Sequence, residues 1–83
     1  KKASFWVAVK DNKVLVKLAV IPEKLKWVYV ATYDENGCFE KLYPVEVTAT
    51  EFEIPLTDYN GKGKVNVFWL SASHAPIRTN STF

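Results

Sequence analysis

Hydroxyl groups and an imidazole occur together in one short segment, residues 71–74 of the 83-residue chain. Hydrolases pair a hydroxyl nucleophile with a histidine base, so Ser71, Ser73 and His74 are the first candidates for catalysis. Side chains this close in one turn rarely point at each other, and the Gly-x-Ser-x-Gly elbow is missing from the sequence. We therefore expect His74 to be a solvent-facing turn residue, and we expect the protein not to be an enzyme.

Oxygen ligands for a metal ion occur at residues 34–36 and again at Asp58 and Asn60. These segments lack the alternating spacing and the terminal bidentate glutamate of a calcium loop. The Gly-Lys-Gly-Lys segment at residues 61–64 lacks the spacing of a phosphate-binding loop and its following Ser or Thr. Turn chemistry explains all three segments, so we predict no metal ion and no cofactor.

Composition limits the classes of partner. The net charge is +2, and the eleven Lys and Arg residues are spread along the chain rather than gathered in the basic stripe of a nucleic-acid-binding protein. No apolar run approaches the roughly 20 residues that cross a bilayer. The single cysteine, Cys38, cannot form an internal disulfide. We expect no nucleic acid, no membrane insertion and a passive thiol.

Aromatic residues are the most informative feature. In the segment Trp-Val-Tyr-Val-Ala-Thr-Tyr at residues 27–33, rings alternate with valines, so the rings line an outer face if the valines face the core. Exposed rings on a sheet stack on sugars or dock a partner. The alternative is that loops cover the rings, which then only complete the core. The candidate ligand-binding residues are Trp27, Tyr29 and Tyr33, joined by Trp6.

Alternation with a period of two residues dominates the chain and predicts strands rather than helices. The clearest inward-facing set is Val14, Val16, Leu18 and Val20, in a strand that Pro22 ends. A polar turn is predicted at residues 10–13 and an Asn-Gly hairpin turn at residues 34–37. Strands are predicted at residues 4–9, 14–20, 26–34, 38–43, 45–49, 51–56 and 65–70.

Pro44 separates two of these strands in this interpretation, and Pro55 marks an edge strand or a strand end. Six or seven short strands with turns every 8–12 residues or so predict an all-β fold, an antiparallel β-sandwich of the immunoglobulin-like or fibronectin-III-like kind. The chain contains no methionine. We expect residues 1–83 to form a single domain excised from a larger exported protein.

Two segments carry a family resemblance. The hairpin VYVATYDENGCF (residues 28–39) and the stretch FEIPLTDYNGKGKVNVFWLSASHAPI (residues 52–77) resemble small β-sandwich accessory domains of secreted or cell-surface bacterial proteins of the clostridial type. In the second segment Trp69 matches the tryptophan of the family's last long strand, Ser71 its serine and Pro76 its proline. Leu70 and Ala75 depart from the pattern, which has Asp and Lys there.

The resemblance implies a non-catalytic extracellular module that acts as a spacer, a stability cap or an adhesion surface beside neighbouring domains of the parent chain. It also implies that Trp69 plugs one end of the sandwich and that residues 71–75 form the turn after it. The second hypothesis is a carbohydrate-binding module with an aromatic platform for a polysaccharide. Exposed rings favour this second hypothesis, and rings buried under loops favour the first.

Overall fold

The structure, a computed structural model, describes residues 5–83. Within this range the chain forms seven strands and no helix. Ser4, where the first predicted strand begins, lies outside the described residues. The strands are β1 (Phe5–Lys10), β2 (Lys13–Leu18), β3 (Trp27–Tyr33), β4 (Phe39–Glu46), β5 (Glu51–Pro55), β6 (Val65–Leu70) and β7 (Ser81–Thr82).

The strands form two antiparallel sheets. One has the order β1-β2-β5, and the other has the order β4-β3-β6-β7. The chain crosses between the sheets after β2, after β4 and after β5, so two of the five strand pairs, β2 with β5 and β3 with β6, join strands that are not consecutive in sequence. The predicted all-β, sandwich-like class is confirmed.

The core lies between the two sheets and follows the alternation of the sequence. Val14, Val28, Val30 and Val67 are completely buried, while their strand neighbours point away from the core. Burying one such side chain contributes roughly 1.5–3 kcal/mol. Trp69, 1% exposed, is the largest of the fully buried side chains. The other core members are Val16, Leu18, Leu25, Tyr43, Val47, Ile54, Leu56 and Val65.

The end of the sandwich near Trp69 is closed by Phe5 and by the segment that follows β6. The ring of Phe5 meets the indole of Trp69 edge-on at a centroid distance of 4.8 Å. The guanidinium of Arg78 lies 4.1 Å from the centroid of the Phe5 ring. Pro76 bridges to Leu70, and the amide of Ile77 donates to the Trp69 carbonyl over 2.9 Å. The predicted burial of Trp69 is confirmed.

The β1–β2 connection is a two-residue hairpin, as the polar sequence predicted. Asp11 and Asn12 have φ values of 54° and 56°, the left-handed pair whose twist matches two antiparallel strands. The side-chain amide of Asn12 donates to the backbone carbonyl of Tyr59 over 2.9 Å. The backbone carbonyl of Asn12 accepts from the backbone amide of Leu56. This turn therefore ties the first hairpin to the loop between β5 and β6.

Two details of the strand prediction are wrong. Strand β2 ends at Leu18, well before Pro22, because the chain bends at residues 19 and 20 to reach the other sheet. Val20 is consequently 57% exposed and does not belong to the inward-facing set.

Pro44 does not separate two strands, since β4 runs through it with Pro44 paired to Tyr29. Strand β4 is a sheet edge. A proline there costs no hydrogen bond if its backbone nitrogen points to solvent rather than to the neighbouring strand. Pro55 ends the edge strand β5, as predicted. Strand β7, in the polar segment near residue 83, was not predicted.

Candidate functional site

The outward side of the four-stranded sheet carries most of the aromatic surplus. Residues paired across antiparallel strands face the same side, so the register identifies this surface. Trp27 pairs with Leu70, Tyr29 with Phe68, and Tyr33 with Phe39. We call this surface the aromatic face, and its members are Trp27, Tyr29, Tyr33, Phe39, Leu42, Phe68 and Leu70.

The middle of the aromatic face is apolar across three strands. Pro44, Tyr29 and Phe68 form one cross-strand row of the sheet. The next row is Leu42, Ala31 and Asn66, which brings in a single polar side chain and no charge. Phe39 is 59% exposed and Leu42 is 41% exposed. Apolar side chains from three neighbouring strands therefore meet solvent on this side of the sheet.

Four of the five rings are half-buried, and Phe39 is exposed. Ala31, which lies between Tyr29 and Tyr33 on the same side of β3, is only 4% exposed, so its neighbours cover it. The Tyr33 and Phe39 rings meet edge-on at 6.0 Å. The Trp27 and Tyr29 rings are also edge-on, with an angle of 82° between their planes. The surface is thus ridged, and it does not present one flat plane.

His74 belongs to this surface. Its imidazole is stacked on the Trp27 indole, with a centroid distance of 5.7 Å and an angle of 14° between the planes. The same imidazole meets Tyr29 edge-on at 5.6 Å. His74 is exposed, as expected of a turn residue, but no sequence pattern predicts that its ring covers part of the aromatic face.

The turn after β6 holds His74 in this position. The Ser71 amide donates to the Ala75 carbonyl over 2.8 Å, and the His74 amide donates to the Ser71 carbonyl over the same distance. His74 has a φ of 67°, a left-handed conformation in which histidine is enriched among residues other than glycine. The hydroxyls of Ser71 and Ser73 lie 3.1 Å apart, and the Ser71 hydroxyl accepts from the Ala75 amide. These groups are engaged in building the turn.

Trp6 lies on the other side of the molecule. It points outward from β1 in the three-stranded sheet, 56% exposed, so the structure brings together Trp27, Tyr29 and Tyr33 but not Trp6. Its surroundings are charged, with the Lys17 ammonium 5.9 Å from the ring centroid. We call the outward side of this sheet the charged face, and its members are Trp6, Lys13, Leu15, Lys17, Glu51 and Glu53.

The carboxylates of Asp34 and Asp58, considered above as possible metal ligands, bind other groups. Oδ1 of Asp34 accepts from the amides of Asn36 and Cys38, both over 2.9 Å, which fixes the hairpin turn. In this turn Gly37 has a positive φ, 84°, and Asn36 does not. The hydrogen bonds to Asp34 therefore help to fix a turn that the sequence analysis attributed to the Asn-Gly pair alone. Within residues 5–83, no three His, Cys, Asp or Glu side chains are grouped so that they could hold a metal ion.

Asp58 binds Lys41 instead, joining β4 to the loop between β5 and β6. The Lys41 ammonium lies 2.6 Å from Oδ2 of Asp58 and 5.3 Å from the centroid of the Tyr43 ring. Donation of a hydrogen bond to the Asp58 carboxylate, followed by its charge, raises the pKa of Lys41 above the ordinary lysine value. The Tyr43 hydroxyl accepts from the Asp58 amide over 3.2 Å, so β4 holds this loop through two contacts.

The glycine-rich loop has a packing role. A Cβ on Gly63 would lie 1.8 Å from the Tyr33 carbonyl oxygen and 2.4 Å from that of Asp34, so only glycine allows the loop to approach the end of β3. The Tyr59 hydroxyl donates to the Gly63 carbonyl and fixes this approach. Cys38 is an exposed free thiol in the neighbouring turn.

Comparison with protein-family models, with curated proteins and with solved structures found no match to this chain. Across residues 5–83, none of the secondary structure is a helix with the length and apolarity needed to span a membrane.

Proposed function

We propose that this chain is a non-catalytic accessory module of a secreted or cell-surface bacterial protein, and that its aromatic face packs against a neighbouring domain of the parent chain. The single observation that carries the proposal is the apolar surface across β4, β3 and β6. Soluble domains rarely leave a contiguous apolar patch of this kind uncovered unless another surface binds to it. A role as spacer or stability cap follows, because a docked domain keeps a defined orientation.

The ridged relief of the face supports docking of a protein surface. Side chains of a partner interdigitate with ridges, whereas a flat plane suits the face of a sugar ring. Aromatic residues are also the type enriched at the centre of protein interfaces. The charges that flank the face lie at its end, where Lys26 binds Glu46 over 2.6 Å opposite Trp27. An apolar centre with a charged border is the usual anatomy of an interface.

The arrangement around His74 supports a non-catalytic role. A general base needs its nitrogen within hydrogen-bond reach of a nucleophile. The imidazole is instead packed on Trp27 and Tyr29, and the serine hydroxyls bond to each other and to the turn.

The strand order supports an immunoglobulin-like or fibronectin-III-like sandwich as the finer fold class. In such folds strands A, B and E form one sheet, and C, F and G belong to the other. Strands β1, β2 and β5 correspond to the first set, and β3, β6 and β7 to the second, with β4 as an additional edge strand beside β3. Modules of this architecture occur widely as cell-surface domains.

A carbohydrate-binding module is the second candidate, and the grouping of Trp27, Tyr29 and Tyr33 on one side of β3 favours it. Aromatic rings on the surface of a sheet can stack on the faces of sugar rings. The stacking of His74 on Trp27 counts against this candidate, because the imidazole occupies one side of the ring that a sugar needs.

The docking proposal is tested with Leu42→Lys, a charge placed in the middle of the aromatic face. Leu42 is 41% exposed in the single domain, so we expect its replacement to change the free energy of unfolding of the isolated chain by less than about 0.5 kcal/mol. In the parent protein the same lysine would be buried at the domain interface. Calorimetry of the parent protein should then show this domain unfolding separately from its neighbour and at a lower temperature.

Val20→Lys is the matched control, since Val20 is 57% exposed and lies outside both faces. The docking proposal fails if Leu42→Lys and Val20→Lys have equal effects in the parent protein. The carbohydrate candidate is tested by electrophoresis of the isolated chain through gels that contain soluble polysaccharides. Retardation that Tyr29→Ala removes and Trp6→Ala preserves would establish sugar binding on the aromatic face, and free migration in every gel would exclude the polysaccharides tested.

A further inference from the structure

The four edge strands of the two sheets differ in how they are protected against pairing with another strand. Proteins protect edges with proline, bulges, charges or very short strands. Strand β4 contains Pro44 and a bulge at Glu40, and β5 contains two glutamates and Pro55. Strand β7 has only two residues. Within the described part of the chain, β1 is the edge strand that has none of these devices, with Lys10 at its end as the one charge.

The inward-facing side chains of β1 are also incompletely covered. Phe5, Val7 and Val9 pack on the core but are all partly exposed. Their neighbours Val14, Val16 and Leu18 on the adjacent strand β2 are at most 3% exposed. The difference arises because nothing in residues 5–83 lies beyond β1 to cover the edge of the core. Strand β1 thus presents unpaired backbone groups together with apolar side chains on both sides.

We propose that β1 pairs antiparallel with β1 of a second copy of this chain, so that two three-stranded sheets join into one six-stranded sheet. The sizes of the side chains determine the register of this pairing. Pairing about a two-fold axis at Val7 sets Trp6 opposite Ala8 of the second copy and Phe5 opposite Val9 of the second copy. Large residues then meet small ones on both sides of the sheet, which is the complementarity an isologous interface requires.

The surface around Ala8 has room for the incoming tryptophan. A shallow groove of about 380 Å³ runs along the charged face, and Trp6, Ala8 and Leu15 are among its lining residues. Because Ala8 leaves a depression next to Leu15, the Trp6 ring of a second copy fits above it. Trp6 is 56% exposed in the single chain, so this pairing removes the most exposed tryptophan from water.

The charges of β1 permit this self-pairing. Lys10 lies three residues from Val7, so the two Lys10 residues of the pair are roughly 20 Å apart along the strands. This distance is about twice the Debye length at physiological salt, so their repulsion is screened. The charges of strand β5 do not permit an equivalent self-pairing, because its glutamates would meet glutamates of the second copy.

Cysteine cross-linking tests the register. In a Cys38→Ser background, Val7→Cys places two thiols on the two-fold axis, where paired Cα atoms are about 4.5–5.5 Å apart. This separation permits a disulfide. Phe5→Cys and Val9→Cys are the matched controls, because in each the two thiols are roughly 13 Å apart. We expect mild oxidation to cross-link Val7→Cys alone, and to cross-link a mixture of the two control variants to each other.

Analytical ultracentrifugation tests the association itself. We expect the wild-type chain to become dimeric between micromolar and millimolar concentration, with a blue shift of tryptophan emission as Trp6 leaves water. Ala8→Lys should abolish the dimer, since the long side chain fills the depression that receives Trp6 of the second copy. Thr57→Lys, an equally charged substitution in an exposed loop, should leave the dimer intact.

A chain that stays monomeric across this range would overturn the proposal. So would a dimer that Leu42→Lys abolishes and Ala8→Lys preserves, because that dimer would be formed by the aromatic face. The docking proposal is judged by the parent protein's calorimetry, so the two proposals fail independently.

Discussion

The two outward faces of this molecule have opposite relations to water. On the charged face, Lys13 lies 3.5 Å from Glu53, and Lys17 lies 3.7 Å from Glu51. Charged side chains bound to water and to each other make up most of that side, with Trp6, Ala8 and Leu15 as its apolar members. On the aromatic face, the middle rows carry rings and aliphatic side chains whose exposure costs free energy. Both sheets bury the same kind of valine-rich inner face, so the difference lies only in the outward-facing residues.

This contrast separates residues that the fold requires from residues that it leaves free. Inward-facing residues must be apolar in any sandwich. Outward-facing residues are free to be polar, and on the charged face most of them are. The fold does not require the rings and aliphatic side chains on the other outward face, and the docking proposal rests on them. The contrast leads to four predictions, given from the largest expected effect to the smallest.

The interior common to both faces should be far more sensitive than either face. Trp69 is 1% exposed, and Trp69→Ala leaves a large cavity between the two sheets. We expect a loss of about 3–5 kcal/mol in the free energy of unfolding. Urea denaturation followed by circular dichroism measures it. A midpoint close to that of the wild type would mean that Trp69 is not part of the core.

The aromatic face should contribute to stability through its ring contacts. Trp27→Ala removes a half-buried indole that contacts His74 and Tyr29, and we expect it to cost about 1–2 kcal/mol. A double-mutant cycle with His74→Ala should give a coupling energy of about 0.5–1.5 kcal/mol. Additive single-mutant effects would show that the imidazole and the indole do not interact in solution.

The charged face should be nearly neutral to substitution. Lys17 and Glu51 are 62% and 68% exposed at the side chain, so their ion pair is strongly screened. We expect Glu51→Gln to change the free energy of unfolding by less than about 0.5 kcal/mol, and we expect this small effect to vanish in high salt. A larger effect that persists in salt would contradict the proposed difference between the two faces.

The interaction of Lys41 with Asp58 should be visible in the pKa of the lysine. Its pKa is raised by the hydrogen bond to Asp58, so Asp58→Asn should lower the pKa toward the ordinary lysine value. A raised pKa means that the interaction stabilises the fold fully below the unfolded-state pKa and is lost as pH rises through the folded-state pKa. The loss of this stabilisation with pH is therefore confined to strongly alkaline solution. NMR titration of the Lys41 side chain in the wild type and in Asp58→Asn measures the change in pKa.

Alternation along the chain was sufficient to predict the strands that carry the core. Val14, Val16 and Leu18 face inward because a strand with one buried side needs apolar residues at every second position. The same reasoning placed Trp27, Tyr29 and Tyr33 together on one side of β3, as the structure has them. These predictions succeeded because they depend on neighbours in sequence.

The errors and omissions all involve residues distant in sequence. Whether Pro44 interrupts a strand depends on β4 being a sheet edge, which only the pairing of all strands decides. Trp6 follows the same alternation as Trp27, and nothing local says that the two rings lie on different sheets. The stacking of His74 on Trp27 joins residues 47 positions apart and depends on a left-handed turn at the histidine. An aromatic surplus is thus visible in sequence, but its division between surfaces is not.

The shortness of β7 has a mechanical consequence. This strand is held to β6 through two residue pairs, with hydrogen bonds between Phe83 and Val65 at its far end. Strand β1 is joined to β2 through six pairs. Tension applied at residue 83 would therefore peel β7 away first and extend the chain while the two sheets and their core remain intact. In a tethered module, this last strand would act as an extensible link that yields before the domain unfolds.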